Sequence, residues 1–275
     1  MRFFEFINKT PLTVKVGLII VVLNVVAALF APAIAPYEQD EVVGDVWLSP
    51  GSGHLLGTDQ LGRDVFSRML YGARNTIALA ISITLLAFLI GVVCGLLAAT
   101  IGGILDMLLS RIVDVVISFP PLILTLMVLS ILGSSTFVLL VVIAVIDSTK
   151  VYRLSRALAM DLKVMEFVEV ARLRGESTWW IISREIFPNA MPTLLAEFGL
   201  RFCFIFLFIS ALSFLGLGIQ PPAADWGSMV RDNAGAISFG IFIPLWPAGA
   251  IAMLSVGVNL LVDWFLQRSA QIRSS

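Results

Sequence analysis

Glu169-Val170-Ala171-Arg172-Leu173-Arg174-Gly175, running on to Pro188-Asn189-Ala190, is a charged stretch set between apolar runs that are each long enough to cross a bilayer. A chain built this way keeps its longest charged, helix-compatible segment on one side of a membrane, within reach of a soluble partner. Composition around that stretch settles the class. Hydrophobic residues make up 59% of the chain and charged residues 13%, with a mean hydropathy of +0.98, far from a soluble globular protein. This is an all-α integral membrane protein.

A hydrocarbon core about 30 Å thick needs about 20 residues of helix, so uncharged runs of that length predict spans directly. Six are predicted, over 16–35, 76–102, 112–132, 137–152, 194–218 and 242–266. Ala33-Ile34-Ala35 has the look of a signal-peptidase site, but the run before it is longer than a signal peptide needs and Pro36 directly follows, so it is read as a retained span. No charge occurs from Val115 to Ile146; Gly133-Ser134-Ser135-Thr136 supplies the turn that divides this stretch into the third and fourth spans.

Lys and Arg fix the orientation, because short loops rich in them stay cytoplasmic. One side collects thirteen: Arg2, Lys9 and Lys15, then Arg111, seven from Lys150 to Asn189, and Arg268 and Arg273. The other side has Arg63, Arg68, Arg74 and Arg231, and its long loop from Tyr37 to Arg74 carries six acids against three bases. Both termini are predicted to be cytoplasmic. The net charge of −1 gives no reason to expect nucleic acid.

Several function classes lose support. Cys94 and Cys203 fall inside predicted spans and are read as small buried apolar residues, with no disulfide. His54 is the one histidine, which excludes His-pair metal sites. No Gly-Lys dipeptide occurs, so there is no phosphate-cradling P-loop, and no G-x-S-x-G nucleophile elbow occurs either. Gly51-Ser52-Gly53 and Gly216-Leu217-Gly218 lack the strand-turn-helix context of a dinucleotide site and read as turns or packing positions. No catalytic or metal-binding residue is assigned.

Between Lys150 and Asn189, apolar residues Leu154, Leu158, Leu162, Met165, Val168, Ala171, Trp179, Ile182 and Ile186 recur mostly at steps of three or four, the period of an amphipathic helix. Gly175 separates two halves and Ser177 is placed to cap the second, which predicts a helix, a sharp turn, and a second short helix ending before Pro188. On the residues alone, such a lobe either meets a partner or lies on the membrane surface.

The order Glu169, Ala171, Gly175, Pro188 resembles the EAA loop of permease subunits of ABC importers, with departures at Val170, Glu185 and Phe187. By that resemblance the helix before Gly175 is a coupling helix that enters a groove on a cytoplasmic ATPase, and Glu169, Ala171, Arg172, Gly175 and Pro188 are the coupling residues. A second segment, His54 to Arg68 followed by Tyr71-Gly72-Ala73-Arg74, resembles the dipeptide, oligopeptide and nickel permease family, its C-type subunit in particular. Within it Gly57, Thr58, Asp59, Gly62, Arg63 and Asp64 form the external-loop motif. Its glycines allow tight turns, Asp59 or Asp64 is placed to cap a helix, and the arginines are placed to pair with acids or lipid phosphates. The motif reads equally as a contact for an extracytoplasmic binding protein or as a plug packed on the spans.

Ionisable groups at membrane depth call for partners. Glu197 and Arg201, four apart, are expected to pair, and Asp147 with Lys150 and Asp114 with Arg111 likewise; Asp263 lies at a span edge. Pro120-Pro121, Pro244 and Pro247 predict kinks.

Together the resemblances imply a type I ABC importer (MetI-like) permease fold of six transmembrane helices with a cytoplasmic coupling-helix loop. Residues 1–73 would comprise the N-terminal tail, first span and external loop, 74–267 the transmembrane core, and 268–275 a cytoplasmic tail. The chain would sit in the cytoplasmic (inner) membrane and move peptides or a related small solute inward. Its implied partners are a homologous second permease, two cytoplasmic ABC ATPases that use ATP and magnesium, and an extracytoplasmic solute-binding protein; this chain itself would bind no cofactor. The rivals are a self-sufficient secondary carrier or channel and a membrane-embedded enzyme.

Overall fold

The computed structural model describes residues 11–51 and 53–274, without the side chains from Arg268 onward. Arg2 and Lys9, counted above for orientation, lie outside the described residues, as do Ser52 of the Gly51–Gly53 turn and the side chains of Arg268 and Arg273. Among the described residues all regular elements are helical. In chain order they are α1 (Leu12–Leu29), α2 (Ala31–Ile34), α3 (Val65–Ile101), α4 (Gly103–Ile117), α5 (Pro121–Leu132), α6 (Thr136–Leu162), α7 (Glu166–Leu173), α8 (Thr178–Ile181), a π-helical turn (Ile182–Ile186), α9 (Phe187–Phe214), α10 (Trp226–Asp232), a 3₁₀ turn (Ala234–Phe239) and α11 (Leu245–Ser274).

Among the described residues, four helices are long and apolar enough to cross a bilayer: Leu12–Leu29, Val65–Ile101, Thr178–Phe214 and Leu245–Gln267. The pair Gly103–Ile117 and Pro121–Leu132, bent by 91°, makes a fifth if it counts as one span. Pro120 and Pro121 are the cause of that bend. Pro121 occupies the first helical position of α5, where a missing N–H costs nothing, and Pro120 takes an extended backbone that ends α4. The predicted third span is therefore a broken pair. The predicted fourth lies within α6, which continues ten residues past Tyr152 while Asp147, Lys150 and Arg153 enter its length.

Two other boundaries move, and one expected kink is missing. α3 begins at Val65, well before Thr76, because Asp64 Oδ2 accepts from Ser67 N and Ser67 Oγ, each at 2.8 Å, and so caps the helix early. The lobe's second helix does not end before Pro188: α8, the π turn and α9 run on continuously to Phe214. The π turn lies where the proline amide is missing, and Asn189 Nδ2 donates to Glu185 O at 2.6 Å beside it. Pro244 and Pro247 do not kink the last helix; Pro247 falls in the first turn of α11, whose amides have no helical acceptor in any case.

The chain forms two compact units. One gathers the described parts of Met1–Ile81 and Phe202–Ser275 with Ser134–Thr136. In it α1 packs on α11 through glycines: a Cβ on Gly17 would come within 2.8 Å of Gly257 O, so only small residues permit this approach. Trp226 is buried, with Nε1 donating to Met69 O at 2.9 Å and its indole against Gly72 and, edge to face, Phe206. The other unit comprises Ser82–Gly133 and Phe137–Arg201. There α3 meets α6 through Gly91 and Gly95, whose added Cβ atoms would lie 2.7 Å from Ser148 O and Tyr152 O.

Candidate functional site

The charged lobe is built by burying one stripe of α7 and leaving the other bare. Val168 and Ala171 are fully buried in a cluster with Leu96, Ala99, Ala159, Ile181, Ile182 and Ile186. Phe167, Val170 and Leu173 are exposed, Leu173 at 82%, and Trp179 beyond the turn at 62%. The predicted period thus holds, but its faces divide differently: Met165 and Trp179, expected inside with Val168, point out. An exposed apolar stripe on a charged helix marks a surface for contact with a partner protein or with the membrane.

Gly175 sets the angle of that face. Its φ of +82° follows α7 directly, Gly175 N donates to Arg172 O at 2.9 Å, and Glu176 N donates to Ala171 O at 3.2 Å. These two bonds form a Schellman cap, which satisfies the last carbonyls of α7 and turns the chain. Ser177 then caps α8, accepting from Trp180 N at 3.3 Å, and the Arg174 guanidinium lies 5.6 Å from the centre of the Trp180 ring. Of the five candidate coupling residues, Ala171 is an internal anchor and Gly175 the hinge of the turn. Glu169 and Arg172 are exposed on α7, and Pro188 is exposed at the start of α9.

The second motif is a closed knot. Thr58, Asp59, Arg63 and Asp64 are all buried, together with His54, Ser67 and Arg68. Asp59 Oδ1 accepts from Leu61 N (2.8 Å) and Arg63 N (3.0 Å), and Oδ2 accepts from Arg63 Nε (2.8 Å). Arg68 Nη1 donates to Gln39 O at 2.6 Å, while its Nε sits 3.3 Å from Asp59 Oδ2 at ion-pair distance without hydrogen-bond alignment. Thr58 Oγ1 accepts from Leu48 N at 2.8 Å and donates to Asp45 O at 2.6 Å, and His54 Nδ1 pairs with Asp64 Oδ1 at 2.9 Å. Gly57 and Gly62 have positive φ, and a Cβ on either would press into Leu48 O or Gly44 O at 2.2 and 2.1 Å. Glycine is required there by conformation and by space.

This knot is tied to the far end of the chain. Gln60 N donates to Asn233 Oδ1 at 3.0 Å, Gln39 Oε1 accepts from Ala224 N at 2.9 Å, and Thr76 Oγ1 donates to Asp225 Oδ1 at 3.1 Å. Asp225 caps α10 through Ser228 N, and its burial raises the carboxyl above the usual carboxylate range.

The charges at membrane depth are paired as expected in part. Arg201 Nε donates to Glu197 Oε1 at 2.6 Å, and Asp147 lies 3.4 Å from Lys150 Nζ and 3.6 Å from Arg201 Nη1, which joins the two predicted pairs into one cluster. Asp114 does not pair with Arg111 among the described residues. A different pair takes that place: Arg156 Nη2 donates to Asp106 Oδ2 at 2.7 Å, as one arm of a bidentate contact between α6 and α4.

Comparison with known proteins adds the following. The family described as binding-protein-dependent transport system inner membrane component matches residues 91–271. The chain is 32% identical over 258 residues to the probable D,D-dipeptide transport system permease protein of Escherichia coli (strain K12), covering 94% of this chain and 86% of that one. It is 34% identical to a glutathione transport system permease protein of Pectobacterium atrosepticum (95% and 87% covered) and 31% identical to an oligopeptide transport system permease protein of Bacillus subtilis (90% and 82%). The fold resembles a chain in the crystal structure of an amino acid ABC transporter with histidines, at a TM-score of 0.53 and 20% identity, over 74% of this chain and 94% of that one.

Proposed function

The chain belongs to the binding-protein-dependent transport system inner membrane component family, and from that membership we propose that it carries peptides or a related small solute inward, driven through the lobe centred on Gly175. It is a multi-pass permease subunit of an ABC transporter, and ATP hydrolysis resides in separate subunits. The peptide assignment rests on the dipeptide and oligopeptide relatives. Further to this reading, the chain pairs with a homologous permease, two cytoplasmic ATPases and an extracytoplasmic binding protein. It crosses the inner membrane six times with both termini in the cytoplasm, α6 supplying one crossing and α4 with α5 another. Residues 1–73 form the tail, first span and outer loop, 74–267 the transmembrane core, and 268–275 the cytoplasmic tail.

The observation that carries this reading is the division of α7 into an anchored stripe and a bare one. Val168 and Ala171 fix the helix to its own subunit, so a force applied at Phe167, Val170 and Leu173 is transmitted to α3, α6 and α9 through the shared cluster. Glu169 and Arg172 flank the bare stripe and supply charge complementarity to the ATPase groove. The buried Asp59–Arg63 knot keeps the outer loop in one shape and presents exposed Leu55 and Leu61 at its rim to the binding protein.

Co-purification tests this. The assembled transporter should retain its ATPases, and Leu173→Asp should release them while the permease pair stays together. Equal ATPase retention by the Leu173→Asp complex would overturn the docking role.

A further inference from the structure

A polar cavity of about 270 Å³ opens between α4 and α6, lined by Ser110, Val113, Asp114, Tyr152, Arg153 and Arg156. Its floor is closed by the buried Tyr152 and Val113, and Tyr152 Oη lies 3.0 Å from Ser110 Oγ. The Arg156 charge is already matched by Asp106. Arg153 and Asp114 differ: both are exposed, both line the cavity, and neither makes a hydrogen bond or ion pair among the described residues. The pocket wall therefore carries the Arg153 guanidinium, which makes no hydrogen bond or ion pair among the described residues, the Asp114 carboxylate, whose charge acts on Arg156, and the hydroxyls of Tyr152 and Ser110.

Its depth is fixed by α6. Arg153 is the first residue past the predicted fourth span, 137–152, which sets it at the edge of the hydrocarbon core, within reach of the polar headgroups. Beside it, Ile104, Leu108, Ile112 and Val115 form an exposed aliphatic stripe along α4 at steps of three and four. An aliphatic stripe leading to a polar pocket with separated charges matches the anatomy of a phospholipid. The volume, below the ~300–1,000 Å³ of sites that enclose drug-sized ligands, suits a head group and not a whole lipid.

We propose that this pocket holds the head group of phosphatidylethanolamine, with its phosphate on Arg153 and the hydroxyls of Tyr152 and Ser110, and its ammonium on Asp114. A primary ammonium donates hydrogen bonds to a carboxylate; a choline head group cannot, and a glycerol head group brings no cation at all. The site thereby discriminates among lipids that share the same phosphate.

The complete transporter, reconstituted in nanodiscs of equal parts phosphatidylethanolamine, phosphatidylcholine and phosphatidylglycerol, is extracted in mild detergent and its retained lipid counted by native mass spectrometry. The wild type should keep phosphatidylethanolamine in preference to the other two. Asp114→Asn should erase the preference over phosphatidylcholine. Arg153→Gln should lower retention about tenfold, while Arg111→Gln, outside the cavity, should not. Unchanged lipid profiles in both pocket variants would overturn the site. Cross-linking of a cysteine at position 153 to the second permease in the assembled transporter would show the pocket to be a subunit interface, and displacement of the lipid by millimolar free phosphoethanolamine would show the ligand to be a soluble zwitterion; each overturns the lipid assignment. Lipid retention is read without transport, so its failure leaves the coupling role of the lobe untouched.

Discussion

Gly175→Val places a β-branched side chain at φ +82°, where a Cβ would meet nothing within 4 Å. The substitution therefore adds no clash with a neighbour, and its whole cost is the left-handed backbone, about 1–2 kcal/mol. The two bonds of the cap, Gly175 N to Arg172 O and Glu176 N to Ala171 O, hold only in that conformation, so the strain acts at the point where α7 is aimed. One to two kcal/mol changes a local equilibrium by a factor of about 5–30, enough to depopulate the docking geometry without unfolding the spans. Asn tolerates this region better than Ala, and Ala better than Val, so uptake and solute-stimulated ATP hydrolysis by the reconstituted transporter should fall together in the order Gly, Asn, Ala, Val. Gly240 supplies the control: its φ is +73°, its Cβ also meets open space, and it lies in the other unit, at the end of the 3₁₀ turn. Gly240→Val carries the same kind of strain and should leave coupling near the wild-type value. Wild-type uptake by Gly175→Val, or an equal loss in Gly240→Val, would refute the assignment of the turn.

Three further outcomes follow from the same geometry. Asp59→Ala strands the buried Arg63 guanidinium and should destabilise the outer loop by about 3–5 kcal/mol, read as a lowered melting temperature of the detergent-solubilised complex and reduced membrane expression; an unchanged melting curve contradicts the knot. A cysteine probe at Asp45 should label from outside the cell and one at Thr178 only from the cytoplasm, and labelling of both from one side would defeat the proposed orientation. The purified chain alone in lipid should hydrolyse no ATP, because its sequence lacks a phosphate-cradling loop; clear hydrolysis by a homogeneous preparation would place catalysis in this subunit.

The parts of this molecule legible in sequence are those set by neighbours a turn away. Gly175 at the end of an amphipathic run gave its turn, Ser177 its cap, and the four-residue spacing of Glu197 and Arg201 their pair. The boundaries that differ share a cause: charge and proline read as stops in a sequence, whereas the helix backbone is indifferent to both in particular places. α6 continues through Asp147, Lys150 and Arg153 because their side chains find partners or solvent without disturbing a backbone bond. Pro188 and Pro247 are passed because one follows a π turn and the other sits in a first turn.

What sequence could not supply is any feature defined by distance along the chain. The sequence leaves the loop rich in Gly, Asp and Arg equally a partner contact or a plug packed on the spans, and its burial is tied to acceptors and donors 149 to 185 residues away, at Ala224, Asp225 and Asn233. The period of the lobe likewise gives the number of apolar positions but not which of them the subunit keeps. Ala171 goes inward because Ala99, Ala159 and Ile182 pack around it, while Leu173, a better hydrophobe, is left bare two residues later. Burying a leucine contributes about 1.5–3 kcal/mol, so leaving it exposed forgoes stability that the proposed partner surface would restore. The sequence marks the lobe as amphipathic; the structure shows which half of that amphipathicity the subunit buries and which half it leaves exposed.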